Sequence, residues 1–118
     1  MLWHRVTLLW PMALCCAIGV APAVMAASAS TAKAAVTSQI EIRNFAFAPK
    51  TLTIPAGTRV VWINRDEEPH VVTSAGSLFA PSKGLDTSDS YAVTFSKPGT
   101  YAYYCSIHPM MVGTIIVQ

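Results

Sequence analysis

The segment Tyr101-Ala102-Tyr103-Tyr104-Cys105-Ser106-Ile107-His108-Pro109-Met110-Met111-Val112-Gly113 decides how the rest of the chain is read. In extended backbone alternate side chains share a face, so Tyr101, Tyr103 and Cys105 point together, and the two aromatic rings turn that face toward a core. Cys105 then stands at the inner end of a strand. Ser106 to Gly113 reads as a short loop before a last strand. Such a loop curls a thiolate, an imidazole and a thioether around one point, with the spacing Cys105-x2-His108-x2-Met111.

Outward from this segment, the chain from Gln39 onward consists of short β-branched and aromatic runs broken by Pro, Gly and Asp. No stretch of ten residues or more has helical periodicity. Strands are expected at Gln39–Asn44, Thr51–Ile54, Thr58–Asn64, Val71–Thr73, Tyr91–Phe95, Thr100–Cys105 and Gly113–Val117. The turns Pro55-Ala56-Gly57, Arg65–Pro69 and Lys97-Pro98-Gly99 separate some of them, with residues whose φ suits tight reversals. The domain is therefore all-β, a sandwich or a barrel. Its expected core is Ile40, Ile42, Phe45, Phe47, Leu52, Ile54, Val60, Trp62, Val93, Phe95, Tyr101, Tyr103 and Ile115. There is no internal repeat.

The front of the chain differs in texture. Met1-Leu2-Trp3-His4-Arg5 is a short basic start, Val6 to Ala27 carries no charged side chain, and Val24-Met25-Ala26 ends in small residues. This is the pattern of a secretory signal peptide over residues 1–26. An uncleaved anchor is the alternative, since the uncharged stretch is long enough to span a bilayer, but Pro11 and Pro22 interrupt it. Residues 27–38 read as a flexible Ala/Ser/Thr-rich lead-in and residues 39–118 as the folded domain. Of the whole chain 53% is apolar and 12% charged, and the formal net charge is +2. These values exclude a disordered chain and give no footing for nucleic-acid binding.

Removal of residues 1–26 leaves one cysteine, Cys105, two histidines, His70 and His108, and two methionines, Met110 and Met111. Four of these five lie between positions 105 and 111. A lone cysteine in an exported chain has no internal disulfide partner. Taken singly, a buried Cys is a small hydrophobe, a His beside Pro a turn residue and a Met pair gap-filling core. Together they form one constellation, with His70 arriving from another strand directly after Pro69. Two imidazoles, one thiolate and an axial thioether suit copper; zinc would accept the first three but gains little from the fourth. Met110 is left over. The run Asp66-Glu67-Glu68 reads as a solvated turn, partly offset by Arg65, or as a surface that steers a basic partner.

Residues 39–118 resemble the small blue copper proteins, the cupredoxins, and within them the amicyanin and plastocyanin branch. The resemblance lies in Phe47-Ala48-Pro49, Pro55-Ala56-Gly57-Thr58, Val61-Trp62-Ile63-Asn64-Arg65, Glu68-Pro69-His70, Pro98 to Cys105, and His108 to Gly113. It implies an eight-stranded Greek-key β-sandwich, one mononuclear type 1 copper cycling between Cu(I) and Cu(II), and one-electron carriage between partners outside the cytoplasm. His70, Cys105, His108 and Met111 fall on the family's ligand positions. Two residues depart from its pattern. Val71 stands where plastocyanin-like members commonly have an Asn that ties the ligand loops together, so Thr73 or Ser106 is the candidate substitute; Ile107 stands where a Pro is frequent.

A monomeric, periplasmic electron carrier without enzymatic activity is therefore expected. Its redox partner would dock near His108, Pro109 and Met110, and no membrane span would remain after signal cleavage. A periplasmic copper carrier or buffer that delivers the metal to another protein is the rival reading.

Overall fold

The computed structural model describes residues 34–118, with Pro11 and Gly19 alone before them. The expected signal peptide and most of the expected lead-in lie outside the described residues. Two units are distinguished, residues 1–31 and 32–118, and the strands of the described residues lie in the second.

Eight strands follow in order: β1 (Thr37–Arg43), β2 (Ala46–Ala48), β3 (Thr51–Ile54), β4 (Thr58–Asn64), β5 (Thr73–Ser74), β6 (Ser90–Phe95), β7 (Gly99–Cys105) and β8 (His108–Val117). They form two four-stranded sheets, ordered β2-β1-β4-β6 and β3-β8-β7-β5. The chain changes sheet at every connection from β2–β3 to β6–β7, so sequence neighbours end up in opposite layers. This is the expected all-β sandwich. β1 runs parallel to β4, with Ile40 opposite Trp62, and β3 runs parallel to β8, with Leu52 opposite Ile115. β6 and β7 are antiparallel to β4 and β8 respectively.

The alternation within each strand decides what the layers bury. In β4, Thr58, Val60, Trp62 and Asn64 face inward while Arg59 is exposed and Val61 and Ile63 are half-buried. Trp62 is the hub. Its ring lies 5.4 Å from that of Tyr103 across the sandwich and 6.0 Å from those of Phe79 and Tyr91, centroid to centroid. Ile40, Ile42, Val60 and Ile115 are fully enclosed around it. At the Pro55–Gly57 turn, Gly57 takes φ +90° and the Thr58 hydroxyl donates to the Pro55 carbonyl at 2.7 Å, which turns the chain into β4.

Four sequence expectations are revised. β1 begins at Thr37, because Thr37 and Ser38 already pair with Arg59 and Val60. β2, unmarked in the sequence reading, has only three residues, too few to display a period. β5 is Thr73–Ser74, which starts two residues later and ends one residue later than expected. The segment from His108 to Val112 is strand, since Cys105 pairs directly with His108 across Ser106 and Ile107, with an irregularity at Tyr104/Cys105.

Of the expected core, Leu52, Val93 and Tyr101 are half-buried against it, and Phe45 is not in it. Asn44 and Phe45 both have positive φ, 52° and 55°, and this double left-handed turn swings Phe45 out of the period-two alternation. Val72, Leu85, Met111 and Val117 belong to the core instead.

Candidate metal centre

The buried ends of β7 and β8 and the connection between β4 and β5 meet at one end of the sandwich. Cys105 is the last residue of β7 and His108 the first of β8, so the hairpin places thiol and imidazole side by side. His70 comes from the β4–β5 connection. Its amide donates to the Leu85 carbonyl at 3.1 Å and its carbonyl accepts from Leu85 N–H at 2.8 Å, which locks its backbone to a segment in front of β6.

The three side chains converge. Cys105 Sγ lies 3.9 Å from His70 Nδ1 and 3.7 Å from His108 Nδ1, and the two Nδ1 atoms are 3.2 Å apart. The circle through these three atoms has a radius of about 2.1 Å, within the ~2.0–2.3 Å of nitrogen and thiolate bonds to a first-row metal ion such as zinc. A single ion in that plane reaches all three, the trigonal two-histidine, one-thiolate pattern of blue copper sites. His70 and Cys105 are wholly buried and His108 is half-buried, so the set opens to solvent only on the His108 side.

Met111 follows on β8 and is buried. It lines, with His108, Phe45, Ile107, Pro109 and Met110, a hollow at the same end of the molecule. His70, Cys105, His108 and Met111 make up a set typical of a type 1 copper site.

The surroundings hold this set in place through groups to which the sequence reading gave no role at the metal. Asn64, fully buried at the end of β4, donates from Nδ2 to the carbonyls of Glu68 and Leu85, both at 2.8 Å, and accepts from the Asp66 amide at 2.9 Å. The loop carrying His70 is thereby wound around one side chain. His70 Nε2 lies 2.9 Å from Asp66 Oδ2, so the carboxylate fixes the proton on Nε2 and leaves Nδ1 free for a metal.

Asp66 therefore departs from the expected solvated turn: Glu67 and Glu68 are exposed, but the Asp66 side chain is only 9% exposed. Burial works against its charge, yet hydrogen bonds donated by the amides of Phe45 and Asn44 and by His70 prevail and hold its carboxyl below the ordinary aspartate range. The link expected from Thr73 or Ser106 is made by neither. Thr73 Oγ1 has no hydrogen-bond partner among the described residues, and Ser106 is exposed. The amide of Val71 donates to Cys105 Sγ at 3.3 Å instead.

Residues 14–117 match the cupredoxin-like domain family. Over 83 residues the chain is 32% identical to amicyanin from Paracoccus denitrificans, a match covering 67% of this chain and 63% of that protein. The chain thus spans less than two-thirds of that relative's length. Over 105 residues it is 36% identical to plastocyanin from Prochlorothrix hollandica, covering 77% and 79% of the two chains. Among solved structures, a purple cupredoxin from Nitrosopumilus maritimus superposes with a TM-score of 0.65 at 34% identity, over 69% of this chain and 99% of the other. An all-β sandwich with two imidazoles and a thiolate converging at one end, matched to these relatives in sequence and in fold, places the chain in the cupredoxin family.

Proposed function

We propose that this protein carries single electrons between redox partners outside the cytoplasm, with His70, Cys105, His108 and Met111 as the residues that would hold one copper ion. The observation that carries the reading is the triangle of Sγ and two Nδ1 atoms, already spaced for a single ion. Copper bound there supplies the Cu(I)/Cu(II) couple. The protein's part is to keep its ligands still, because electron transfer is fast when little has to move between oxidation states. His70 is fixed at its backbone by Leu85 and at its ring by Asp66, and Cys105 ends a strand paired along its length with β8.

The electron enters and leaves at His108, the one half-buried ligand. Around it Met110 is 93% exposed, Ile107 50% and Phe45 46%, an apolar surface beside His108. A partner protein docks on this face. Among the described residues no helix is long and apolar enough to cross a membrane, and no second cluster of His, Cys, Asp or Glu has metal-ligand spacing. The complete burial of His70 and Cys105 favours retention of the metal over its delivery to another protein. The signal-peptide pattern of the sequence over residues 1–26 is what supports a periplasmic location.

The test is the visible absorption spectrum of the protein after one equivalent of Cu(II), alongside Cys105→Ser and Met111→Ala. A strong blue thiolate-to-copper band, lost in the first variant and shifted in the second, is expected. Colourless binding of Cu(I) or Zn(II) alone would replace electron carriage with metal delivery.

A further inference from the structure

Phe45 sits in a conformation that its residue type seldom adopts. It and Asn44 are both left-handed, at φ 55° and 52°, in the turn between β1 and β2, where Gly or Asn is the usual occupant of such positions. The ring is nearly half exposed, yet it is not loose. It packs T-shaped on both imidazoles, 5.3 Å from His70 at 85° and 5.1 Å from His108 at 86°. What keeps the turn in this shape is one carboxylate. Asp66 Oδ1 accepts from the Asn44 amide at 2.7 Å, and Oδ2 accepts from the Phe45 amide at 2.9 Å. The same Oδ2 faces His70 Nε2 at 2.9 Å. Asp66 is itself anchored, by its amide on Asn64 Oδ1 and by its carbonyl, which accepts from the Thr87 hydroxyl at 2.8 Å.

We propose that Asp66 and Phe45 act as a strap over the metal site: one carboxylate fixes the orientation of His70 and, through the β1–β2 turn, holds the Phe45 ring across both imidazoles as the barrier to metal exchange. This rests on the metal-site reading above. Both residues are positioning residues, since neither supplies a ligand atom. An amide at position 66 offers one acceptor oxygen where three N–H groups converge on two, so Asp66→Asn releases at least one of them. Phe45→Gly removes the ring and relieves the backbone, because glycine accepts positive φ without penalty. Loss of fold therefore does not confound that variant.

Two measurements test the strap. In the metal-free protein, nuclear magnetic resonance of the histidine rings is expected to show His70 protonated at Nε2 with slow proton exchange, and contacts from the Phe45 ring to His70 and His108. Both features are expected to be lost in Asp66→Asn. In the Cu(I)-loaded protein, transfer of the metal to a strong soluble chelator is expected to accelerate about tenfold in Phe45→Gly and in Asp66→Asn, the scale typical of lost outer partners at metal sites. The double variant is expected to be no faster than Asp66→Asn alone, because both changes remove the same barrier. Retained ring contacts in Asp66→Asn, an unchanged rate in Phe45→Gly, or rates that multiply in the double variant would each overturn the proposal. Absence of a blue band in the wild-type protein would overturn electron carriage instead, and the metal-free measurement would still decide the strap.

Discussion

The backbone amide of Val71 donates to the sulfur of Cys105 at 3.3 Å, joining the loop of the first histidine to the end of β7 across the site. The bond belongs to the main chain, so the side chain at position 71 is free to vary. Hydrogen bonding around a cysteine ligand tunes the potential of a copper site. Val71→Asn is therefore expected to leave the potential near that of the wild type. Val71→Pro deletes the donor, concentrates charge on sulfur and lowers the potential. Voltammetry of the two variants checks this, and a larger shift in Val71→Asn than in Val71→Pro would show that the side chain matters more than the amide.

Asn64 is a costly polar side chain to remove. Its amide group satisfies the Glu68 and Leu85 carbonyls and the Asp66 amide in a site with no exposure. Asn64→Ala strands the Glu68 carbonyl and the Asp66 amide at ~1–3 kcal/mol each, while the Leu85 carbonyl keeps the His70 amide, so a loss of about 2 kcal/mol or more is expected. Urea unfolding of the metal-free protein should show a lower midpoint with an unchanged slope. Asn64→Asp keeps the acceptor but loses both donated bonds, and should fall nearly as far.

Asn64 and Asp66 also mark where the sequence stops being informative. Cys105, His108 and Met111 announce themselves because rare ligand types recur at short spacing, and His70 because it is the one other histidine outside the signal-peptide pattern of residues 1–26. Strands β3, β4 and β6 show in their apolar and β-branched runs, and β7 in its Tyr/Tyr/Cys alternation. Asp66, in contrast, sits in a run of three acids that looks like any solvated turn. Its role depends on the β1–β2 turn, some twenty residues away, arriving above it. Phe45 looks like core for a related reason, since a pair of positive φ angles breaks the alternation that a sequence reading assumes. The length of β8 was hidden too, because Pro109 and Met110 are both exposed and interrupt its pattern.

Gly113 lies under the ring of Tyr103, its register partner on β7, so closely that a methyl group at position 113 would overlap the ring. Tyr103 is 1% exposed and packed between Trp62 and Phe47, with no space to retreat. Gly113→Ala is expected to destabilise by ~1–3 kcal/mol as an overpacked core does. Combining it with Tyr103→Leu should return part of that loss relative to the sum of the two single variants. Strict additivity in a thermal-unfolding cycle would mean that the two positions do not clash.

Met110, 93% exposed beside His108, tests the docking face without disturbing the fold. Surface substitutions of this kind usually change stability by no more than ~0.5 kcal/mol. Met110→Lys and Pro109→Glu are expected to preserve the visible spectrum and the melting temperature while slowing electron exchange with a partner protein. Unchanged exchange rates in both variants would move the docking face elsewhere.

The Tyr103 hydroxyl gives the fold an alkaline limit. Burial pushes its pKa up from 10.0 to about 12, offset slightly by the nearby Trp62 indole N–H, and neither group has a hydrogen-bond partner among the described residues. The folded state thus holds this proton more tightly than the unfolded chain. The resulting stability is fully present below pH ~10 and declines as pH rises from there through the folded value, by roughly 1–3 kcal/mol in all. Chemical unfolding of the metal-free protein across this window should show the decline, superposed on that of other alkaline groups. Tyr103→Phe removes the titrating group together with an unpaired buried hydroxyl, so its stability at neutral pH should equal or exceed that of the wild type. Its advantage should then widen between pH ~10 and 12. A constant difference between the two proteins over that range would mean that Tyr103 ionises in the folded state as readily as in the unfolded chain.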